Sequence, residues 1–525
     1  MEETYTVKVG EATPAAGGKP SAGPVYRSIY SKDGLMKLPE DILSPWDFFS
    51  GAVKQYPKNK MLGQRKVSDG KAGDYVWLTY EEVYQKVIKI GSAIRSLGVK
   101  PACNSQGICY VPLYDTLGAN AVEFIMDHAE ISIAFVQESK IQSVLSVVKK
   151  CRAHIKAIVS FGDVTSELKR EAEQLGVSCF SWEEFSSMGK QNYELPKKQK
   201  DDICTIMYTS GTTGDPKGVI ITNRALIAGV MTTEHLLKVT DKVVAEDDSY
   251  FSYLPLAHIF DQVIGNYCIS KGASIGFWQA IKEGLGGRIR LLLSGAAPLP
   301  RHVEEFMRVT SCSVLVQGYG LTESCSGCFT SIANVFSMIG SVGPPVTTIE
   351  ARLESIPEMG YDALSNVPRD GTMKIIDRKK NIFKLSQGEY VAVEVLESAY
   401  VQSPLVTSVW VYGNSFESFL VAVVVPEKQA IEDWAAQNNK TGNFAELCND
   451  PKARMYIEDE LNKTGKRLGL RGFEMLKAIH LETTPFSIEK DLVTPTFKLK
   501  RPQLLKYYKD CIDQLYKDAK VGNKQ

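Results

Sequence analysis

One stretch of eleven residues constrains the fold of this chain more than any other. Residues 208–218 read Tyr-Thr-Ser-Gly-Thr-Thr-Gly-Asp-Pro-Lys-Gly, and they follow an apolar run, 203–207, that predicts a short buried strand. Glycine allows the backbone to turn its N–H groups toward an anion, and the hydroxyls and Lys217 add further donors and a positive charge. The stretch therefore predicts a phosphate-binding loop at the end of a strand.

A polar surface turn is the alternative interpretation of this stretch, because Gly, Ser, Thr, Asp and Pro are ordinary turn residues. The loop is also not a Walker A motif, since no Gly-Lys-Ser/Thr follows its glycines. The concentration of glycines, hydroxyls and one lysine in so few positions favours phosphate binding over the surface turn.

The composition argues against several other classes of protein. Basic and acidic residues number 61 each, so the net charge is zero, which argues against a nucleic-acid binder driven by bulk charge. The 11 cysteines are scattered over 525 residues, which favours a reducing compartment over a disulfide scaffold. The lone Cys325/Cys328 pair has no second pair nearby and does not indicate a metal site. We expect no secretory signal and no membrane span, because no apolar run approaches 18 residues.

Predicted strands and helices alternate along the chain. Thr79 and Glu82 form a capping-box pair, apolar residues then recur at helical spacing, and Gly98 is a plausible stop. This alternation predicts an α/β domain with a largely parallel sheet, preceded by a flexible lead-in over residues 1–45. Further strands are predicted at 107–113, 131–137, 157–161, 290–293 and from 314, a helix at 141–155, and an alternating strand at 418–425 within a smaller α+β domain.

Several other segments carry side chains suited to chemistry, each with a simpler interpretation. His258 lies in an apolar setting, where a packed core histidine is more usual. Small residues at 294–298 follow a predicted strand, which is where open α/β sheets admit ligands, although tight turns also need small residues. Residues 317–324 offer a ring that could stack on a base and a carboxylate that could hold Mg²⁺, or they form a solvated turn. The charged run 377–382 is a hinge or a solvated face, and 494–502 is a basic loop.

The order of these segments resembles the motif succession of the adenylate-forming (AMP-binding) superfamily, and most of all its plant-type long-chain acyl-CoA synthetases. The succession is TSGTTG-PKG, PLAH, SGAAP, QGYGLTE, DRKKN with QGEY, and a late KxKR loop, and it runs from about residue 25 to the C-terminus. The resemblance implies an α/β fold with a large adenylate-forming domain of mostly parallel sheets over 46–376. It also implies that this domain is followed along the chain by a hinge at 377–382 and by a smaller, mobile α+β C-terminal domain over 383–525.

The resemblance also implies an activity, that of an ATP-dependent long-chain fatty acid–CoA ligase. The fatty acid would attack ATP to give acyl-AMP and pyrophosphate, and coenzyme A would then displace AMP. The implied cofactors and partners are ATP, Mg²⁺, coenzyme A and a fatty acid, with no nucleic acid. We expect a cytoplasmic protein, with peripheral contact with the endoplasmic reticulum membrane left open.

Site residues follow from the matching motif positions. The resemblance implies that Lys498 neutralises charge at the α-phosphate, that Thr322 touches this phosphate, that Glu323 holds Mg²⁺, and that His258 sits near the acyl path. Arg378 would bind the ribose and Gly388 would line the thiol tunnel. The residues implied to bind ATP or coenzyme A are Ile206, Met207, Tyr208, Thr209, Ser210, Gly211, Thr212, Thr213, Gly214, Asp215, Pro216, Lys217, Gly295, Ala296, Ala297, Tyr319, Gly320, Arg378 and Gly388.

Three abrupt joins depart from the family pattern, at 101/102, 279/280 and 369/370. The resemblance implies a missing strand with most of a helix at the first join, and a missing fatty-acid tunnel segment at the second. At the third, a Thr-Gly-Asp whose aspartate grips the ribose is absent. These losses favour one alternative for this chain, a catalytically impaired nucleotide-binding variant. A separate alternative is an adenylating ligase for another carboxylate such as an aryl acid.

Overall fold

A computed structural model gives the architecture of the chain. It describes residues 4–68, 71–98, 109–113, 119–150, 154–190, 195–209, 216–252, 257–277, 289–295, 299–311, 313–359, 361–365, 370–376, 381–494 and 498–522. The chain divides into two compact units, Met1–Lys374 and Ile375–Gln525. Among the described residues, no helix has both the length and the hydropathy needed to span a lipid bilayer.

The first unit alternates helices with short strands. Its described helices are α1 (Pro45–Gln55), α2 (Tyr80–Ser96), α3 (Ala119–His128), α4 (Ile141–Val148), α5 (Ser166–Gln174), α6 (Trp182–Ser187), α7 (Asn223–Val239), α8 (Ile259–Ser270) and α9 (Arg301–Ser311). Its described strands are β1 (Thr6–Gly10), β2 (Val25–Ser28), β3 (Lys60–Ser68), β4 (Lys71–Thr79), β5 (Ile133–Val136), β6 (Ala157–Ser160), β7 (Ser178–Phe180), β8 (Ile203–Thr209), β9 (Lys217–Thr222), β10 (Ser249–Ser252), β11 (Ser274–Phe277), β12 (Leu291–Ser294), β13 (Val314–Leu321) and β14 (Ser326–Thr330).

Parallel and antiparallel pairs are mixed in the sheets of this unit. One described sheet has the order β10-β11-β3-β4, in which only the β3–β4 pair is antiparallel. A second, β5-β6-β7, is wholly parallel, and a third, β12-β13-β14, joins a parallel pair to an antiparallel one. The predicted α/β class is confirmed, because helices separate the strands of each parallel pair along the chain.

Helix α2 begins and ends as its sequence predicts. The Glu82 N–H donates to the Thr79 hydroxyl at 3.3 Å, and the Thr79 N–H donates to the Glu82 carboxylate at 2.7 Å, which completes a capping box. After the helix, the Gly98 N–H donates to the carbonyl of Arg95 at 3.0 Å, and Gly98 has a φ of +70°. Glycine adopts this left-handed conformation without steric cost, so Gly98 ends the helix.

The N-terminal segment differs from the flexible lead-in that the sequence predicts. Within residues 4–45, β1 and β2 pair in an antiparallel manner. The N–H of Tyr26 donates to the carbonyl of Ala351 at 2.8 Å, and the Ala351 N–H donates back at 3.0 Å. The side chain of Arg27 also forms an ion pair with Glu350 at 2.5 Å. The prediction is wrong for this segment because its backbone finds partners more than 300 residues away, which composition cannot reveal.

Two other predicted elements are shorter than expected. Helix α4 ends at Val148 rather than near residue 155. Of the predicted strand 107–113, residues 107 and 108 lie outside the described residues, and Tyr110 forms an isolated parallel bridge with Thr205. The carbonyl of Tyr110 accepts the Ile206 N–H at 3.2 Å. This segment therefore touches the edge of β8 without forming a continuous strand.

The second unit is built around a three-stranded sheet. Its described strands are β15 (Ile382–Lys384), β16 (Tyr390–Ala392), β17 (Val406–Tyr412), β18 (Leu420–Pro426) and β19 (Leu476–Leu481). Its described helices are α10 (Val393–Tyr400), α11 (Lys428–Gln437), α12 (Phe444–Cys448), α13 (Pro451–Arg467), α14 (Arg501–Tyr507) and α15 (Lys509–Gly522). The sheet order is β17-β18-β19, and β15 forms a separate hairpin with β16.

Strand β18 is buried on both faces. Leu420, Ala422 and Val424 pack into a core that includes residues of α10, α11 and α13, whereas the alternate residues Val421 and Val423 pack into a core with α14 and α15. Successive side chains of a strand point to opposite faces, so one apolar strand serves both cores. This sandwich of helices on a central strand forms the core of the second unit.

Candidate active site

The predicted phosphate loop connects the two strands of a hairpin. Strand β8 pairs with β9 in an antiparallel manner, with Thr209 opposite Lys217 and Tyr208 opposite Gly218. Of the predicted loop, residues 210–215 lie outside the described residues, so the predictions for Ser210, Gly211, Thr212, Thr213, Gly214 and Asp215 fall there. The described part of the loop therefore begins at Thr209, the last residue of β8. It resumes at Pro216, just before the exposed Lys217 that begins β9.

The glycine at position 218 allows the hairpin to close tightly. An added Cβ would lie 2.9 Å from the Ile206 side chain and 3.1 Å from the ring of Tyr208. The ring of Tyr208 therefore covers the backbone of the opposite strand. Met207 and Tyr208 are only 2% and 7% exposed, so the last residues of β8 are fixed in the core. A loop held at both ends by a packed hairpin is suited to present backbone N–H groups to an anion.

A second group of predicted residues lies at the carboxyl ends of β12 and β13. These strands are parallel neighbours, with Ser294 opposite Gln317. Gly295 follows β12 directly, and an added Cβ there would lie 3.5 Å from the carbonyl oxygen of Gly318. Ala296 and Ala297 lie outside the described residues. The structure thus brings two separate sequence motifs together at one sheet edge, where ligands of open α/β sheets bind.

Strand β13 continues through Gly318 and Gly320, where the sequence predicts a turn. It runs to Leu321 and pairs with β14 in an antiparallel manner, with Tyr319 opposite Phe329. An added Cβ at Gly320 would lie 1.4 Å from the carbonyl oxygen of Ser326. Only glycine allows the two strands to approach this closely. The ring of Tyr319 lies 6.3 Å from the ring of Phe329, centroid to centroid.

Thr322 and Glu323 occupy the tight turn between β13 and β14. The Leu321 N–H donates to the Ser324 hydroxyl at 2.9 Å, and that hydroxyl lies 3.0 Å from the Leu321 carbonyl oxygen. The turn closes through Cys325, which has a left-handed φ of +51°, a conformation that carries strain in a residue with a side chain. Thr322 is half-buried and Glu323 is exposed. Strain maintained beside a carboxylate is typical of functional turns.

A buried ionic network lies beneath this hairpin, and the sequence did not predict it. Glu304 on α9 is 1% exposed, and its carboxylate accepts from the Arg308 guanidinium at 2.8 Å and the Gln317 amide at 2.5 Å. The N–H of Gly340 donates to the same carboxylate at 3.0 Å. Gln317 is the first residue of the Gln-Gly-Tyr-Gly motif, so the network holds the base of β13. The spacing of Glu304 and Arg308 at i and i+4 was a signal for the pair, but not for its burial.

His258 is the N-cap residue of α8. Its Nδ1 accepts the N–H of Phe260 at 3.2 Å, so this face of the ring serves the helix start. In the first turn of α8, Asp261 is buried and its carboxylate accepts hydrogen bonds from the hydroxyls of Tyr250 at 2.7 Å and Ser252 at 3.0 Å. Burial raises the pKa of the Asp261 carboxyl, and the two hydroxyl donors oppose that rise. The cap bond gives His258 a structural role at the start of α8.

The remaining predicted residues belong to the second unit. Gly388 has a φ of +96° in the turn that joins β15 to β16, and its N–H donates to the carbonyl of Leu385 at 2.9 Å. This left-handed conformation favours glycine. Arg378 lies outside the described residues.

Lys498 lies in a hairpin-like loop that is tied to the core of the second unit. The Thr494 N–H donates to the Lys498 carbonyl at 2.8 Å, and the Lys498 N–H donates to the Thr494 hydroxyl at 3.0 Å. Just after the loop, Arg501 forms a two-fold ion pair with buried Glu397 at 2.9 and 2.7 Å. A bidentate arginine–carboxylate pair fixes geometry as well as charge, so it restrains the loop that carries Lys498.

Comparison with known proteins matches most of the chain to two related families. Residues 101–285 and 279–371 match AMP-binding enzymes, and residues 395–467 match the AMP-binding enzyme C-terminal domain. The chain is 52% identical to Probable CoA ligase CCL6 of Humulus lupulus, over 98% of this chain and 99% of the relative. It is 50% identical to Long chain acyl-CoA synthetase 2 of Arabidopsis thaliana, over 98% of each protein.

A solved structure shares the fold. The adenylation domain of the carboxylate reductase from Mycobacterium chelonae superposes with a TM-score of 0.74 at 21% identity, covering 91% of this chain and 92% of that one. At this identity the likeness concerns architecture alone. It agrees with the α/β unit followed by a smaller C-terminal unit.

The alignment with Probable CoA ligase CCL6 is longer than this chain. The alignment spans 653 positions, whereas the chain has 525 residues, so at least 128 positions have no counterpart in this chain. The family matches also begin, overlap or end at residue 101, at 279–285 and at 371, each next to one of the three predicted joins. The prediction that internal segments are missing relative to the family is therefore confirmed. The joins themselves lie at or beside residues outside the described ranges.

Proposed function

The chain belongs to the AMP-binding enzyme family, and from that membership we propose that it is a long-chain fatty acid–CoA ligase. Its relatives at 42–50% identity are named long chain acyl-CoA synthetases, and they are matched over 95–99% of this chain. ATP, a fatty acid and coenzyme A would be its substrates. The products would be acyl-CoA, AMP and pyrophosphate, formed through an acyl-AMP intermediate.

The β8–β9 hairpin carries this proposal. Carboxylates are poor acyl donors, and adenylation converts them into good ones by supplying AMP as the leaving group. Catalysis of attack on a phosphate depends mainly on positioning and on neutralising charge. A loop of glycines and hydroxyls, closed by Thr209 and Lys217 on paired strands, is suited to both tasks. We assign residues 209–217 to the β- and γ-phosphates of ATP.

The nucleotide is proposed to lie at the carboxyl ends of β12 and β13. Gly295 lies against Gly318 there, so the backbone can approach a planar base closely. Tyr319 offers a ring beside this edge, and Thr322 offers a hydroxyl to the α-phosphate. The proposal also assigns the ribose hydroxyls to Arg378, by its place in the family motif.

Glu323 is the proposed protein ligand of Mg²⁺. Its carboxylate is exposed and has no hydrogen-bond partner among the residues that the structure describes. A hard oxygen ligand on a tight turn fits Mg²⁺, which is usually held by one or two carboxylates together with substrate phosphates. When bound, the ion would neutralise phosphate charge. Glu323 itself would hold the metal at the turn, beside the hydroxyl of Thr322.

The second unit is proposed to serve the two half-reactions in turn. Lys498 would place its ammonium at the α-phosphate during adenylation. Residues 377–382 would act as the hinge between the units, and Gly388 would then line the path of the coenzyme A thiol. His258 would sit near the acyl and pantetheine path. The ion pair of Arg501 with Glu397 supports this assignment, because it restrains the loop of Lys498.

Release of pyrophosphate by the purified 525-residue chain tests the proposal. The chain is incubated with ATP and palmitate, oleate or 4-coumarate, with and without coenzyme A. Release that depends on palmitate or oleate supports the fatty acid–CoA ligase. Release only with 4-coumarate would favour an aryl acid ligase, and ATP binding without release would favour an impaired variant. The Lys217→Ala chain provides the blank.

Peripheral contact with the endoplasmic reticulum membrane is part of the same proposal. Long acyl chains partition strongly into bilayers, by about 0.8 kcal/mol per CH₂ group, so the substrate is concentrated there. Flotation of the purified chain with vesicles of endoplasmic reticulum lipid composition tests this contact. A chain that stays at the bottom of the gradient would contradict it.

A further inference from the structure

The ring of Tyr208 occupies the position directly beneath the ends of the phosphate loop. Thr209 and Lys217 form the last cross-strand pair before the loop, and Tyr208 and Gly218 form the next pair down. The ring lies across Gly218, since an added Cβ there would be 3.1 Å from it. Tyr208 is only 7% exposed, so its ring has little freedom to turn. Any contact that fixes this ring also fixes the base of the loop.

The hydroxyl of that ring reaches a histidine on another element. The Oη of Tyr208 lies 2.6 Å from Nδ1 of His128, the last residue of α3. The two rings meet edge to face, with centroids 5.9 Å apart. This contact joins the phosphate hairpin to a helix 80 residues earlier in the chain.

The imidazole is itself held in place. The ring of Phe124 stacks on His128 with centroids 5.2 Å apart and planes within 12°. The two residues are four positions apart on α3, where side chains lie one above the other. Burial raises the pKa of Tyr208, so the phenol keeps its proton and can donate it to an unprotonated Nδ1. Exposed histidines usually sample several rotamers, whereas this one has a stacking partner and a hydrogen-bond partner.

We propose that His128 is a positioning residue for the phosphate hairpin. His128 affects the binding of ATP indirectly, through its contact with Tyr208. It holds the Tyr208 ring against Gly218, and the ring in turn holds Thr209 and Lys217 at the separation that the loop needs. The proposal rests on the proposed function in one respect, namely that the hairpin binds ATP. It assigns no contact between His128 and the nucleotide.

Binding of ATP to the full chain, measured by titration calorimetry without fatty acid, tests the proposal. Loss of one hydrogen bond corresponds to about a 3- to 10-fold change in an equilibrium constant. We expect His128→Ala and Tyr208→Phe each to weaken ATP binding by about that factor. The double variant should bind no more weakly than either single variant, because both remove the same contact. His128→Asn, which can place an oxygen near the position of Nδ1, should recover part of the affinity.

Controls separate positioning from general stability and from the proposed function. His302→Ala removes an exposed histidine from α9 and should leave the affinity for ATP unchanged. Melting temperatures of all variants show whether affinity and stability change together. Should His128→Ala misfold, Tyr208→Phe retains the buried ring and still tests the contact.

Two results would overturn the proposal. Unchanged ATP affinity in Tyr208→Phe, or additive losses in the double variant, would mean that the contact does not act on the loop. If Lys217→Ala weakens ATP binding while the His128 and Tyr208 variants do not, only the positioning role fails. If none of them changes ATP affinity, the assigned function of the hairpin fails as well.

Discussion

At the scale of single residues, Lys217 tests the proposed phosphate contact. The Lys217→Ala change removes a positive charge at the first position of β9. A charge-assisted hydrogen bond contributes about 1.5–3 kcal/mol, so ATP should bind about 10- to 150-fold more weakly. Titration calorimetry measures this, with Lys238→Ala, an exposed lysine at the end of α7, as the matched control. Equal affinities in the two variants would remove the hairpin from the ATP site.

Lys498 tests the division of labour between the half-reactions. Lys498→Ala should abolish formation of acyl-AMP, because its charge is proposed to act only during adenylation. Formation of acyl-CoA from supplied acyl-AMP should survive. Lys500→Ala is the matched control, because Lys500 lies two residues after Lys498 and its ammonium forms an ion pair with Asp491. Equal loss of both half-reactions in Lys498→Ala would argue against alternation of the second unit.

Residue roles that depend on distant partners could not be predicted from the sequence. The motif order was enough to single out Lys217, Glu323 and Lys498, because their types suit phosphate and metal chemistry. His128 and Glu304 gave no such signal. Their roles arise from contacts with Tyr208 and Gln317, which lie 80 and 13 residues further along the chain.

At the scale of elements, the β13–β14 hairpin depends on Gly320. A Cβ at this position would lie 1.4 Å from the carbonyl oxygen of Ser326, so Gly320→Ala must push the strands apart. Misplacement of catalytic groups by about 1 Å can cost about 100-fold in rate. We expect a loss of this order in pyrophosphate release. Gly327→Ala on the opposite strand is the control, because its added Cβ would meet nothing closer than 3.9 Å. Similar rates in the two variants would contradict the role given to the close approach.

The ionic network under β13 should contribute strongly to stability. Glu304→Gln leaves the Arg308 guanidinium, 9% exposed, without its charged partner. Breaking a buried pair in this way costs about 3–5 kcal/mol, which should appear as a lower melting temperature. Glu305→Gln removes the neighbouring exposed carboxylate, whose pair with Arg301 lies in solvent and should contribute little to stability. A melting temperature as high in Glu304→Gln as in Glu305→Gln would refute the network.

Local signals predicted elements better than they predicted partners. The start of α2 followed from Thr79 and Glu82, because capping involves only neighbouring residues. The return strands β9 and β14 did not follow, since a strand's partner depends on the rest of the fold. Glycines usually interrupt strands, so Gly318 and Gly320 predict a turn. Gly320 is instead required by the close approach of Ser326, which only the structure reveals.

At the scale of the whole molecule, the missing segments should lower both stability and activity. Phe135 on β5 and Phe161 after β6 are exposed at 36% and 57%. Such exposure fits the loss of a neighbouring element from a sheet whose described part ends at β5. The resemblance implies that the absent Thr-Gly-Asp would supply a ribose contact, and such a contact contributes about 1.5–3 kcal/mol. We expect a chain with the three segments restored to melt at a higher temperature and to release pyrophosphate much faster.

This comparison measures thermal melting and palmitate-dependent pyrophosphate release in the two chains. A version with only the third segment restored provides the control, because it would return the implied ribose contact without the implied strand or tunnel segment. This version should bind ATP more tightly than the short chain does, whereas its melting temperature should stay close to that of the short chain. Matching melting temperatures and matching rates in the short and restored chains would show that this chain closes its site without the segments.

Direct detection of the intermediate tests most closely whether this protein activates fatty acids by adenylation. The 525-residue chain is incubated with ATP, Mg²⁺ and palmitate without coenzyme A, and the bound products are identified by mass spectrometry. Coenzyme A is then added. We predict that palmitoyl-AMP forms first and is converted into palmitoyl-CoA and AMP after the addition, and that Lys217→Ala forms far less of it. Palmitoyl-CoA formed without any detectable palmitoyl-AMP, or ATP turnover independent of palmitate, would contradict the assigned chemistry.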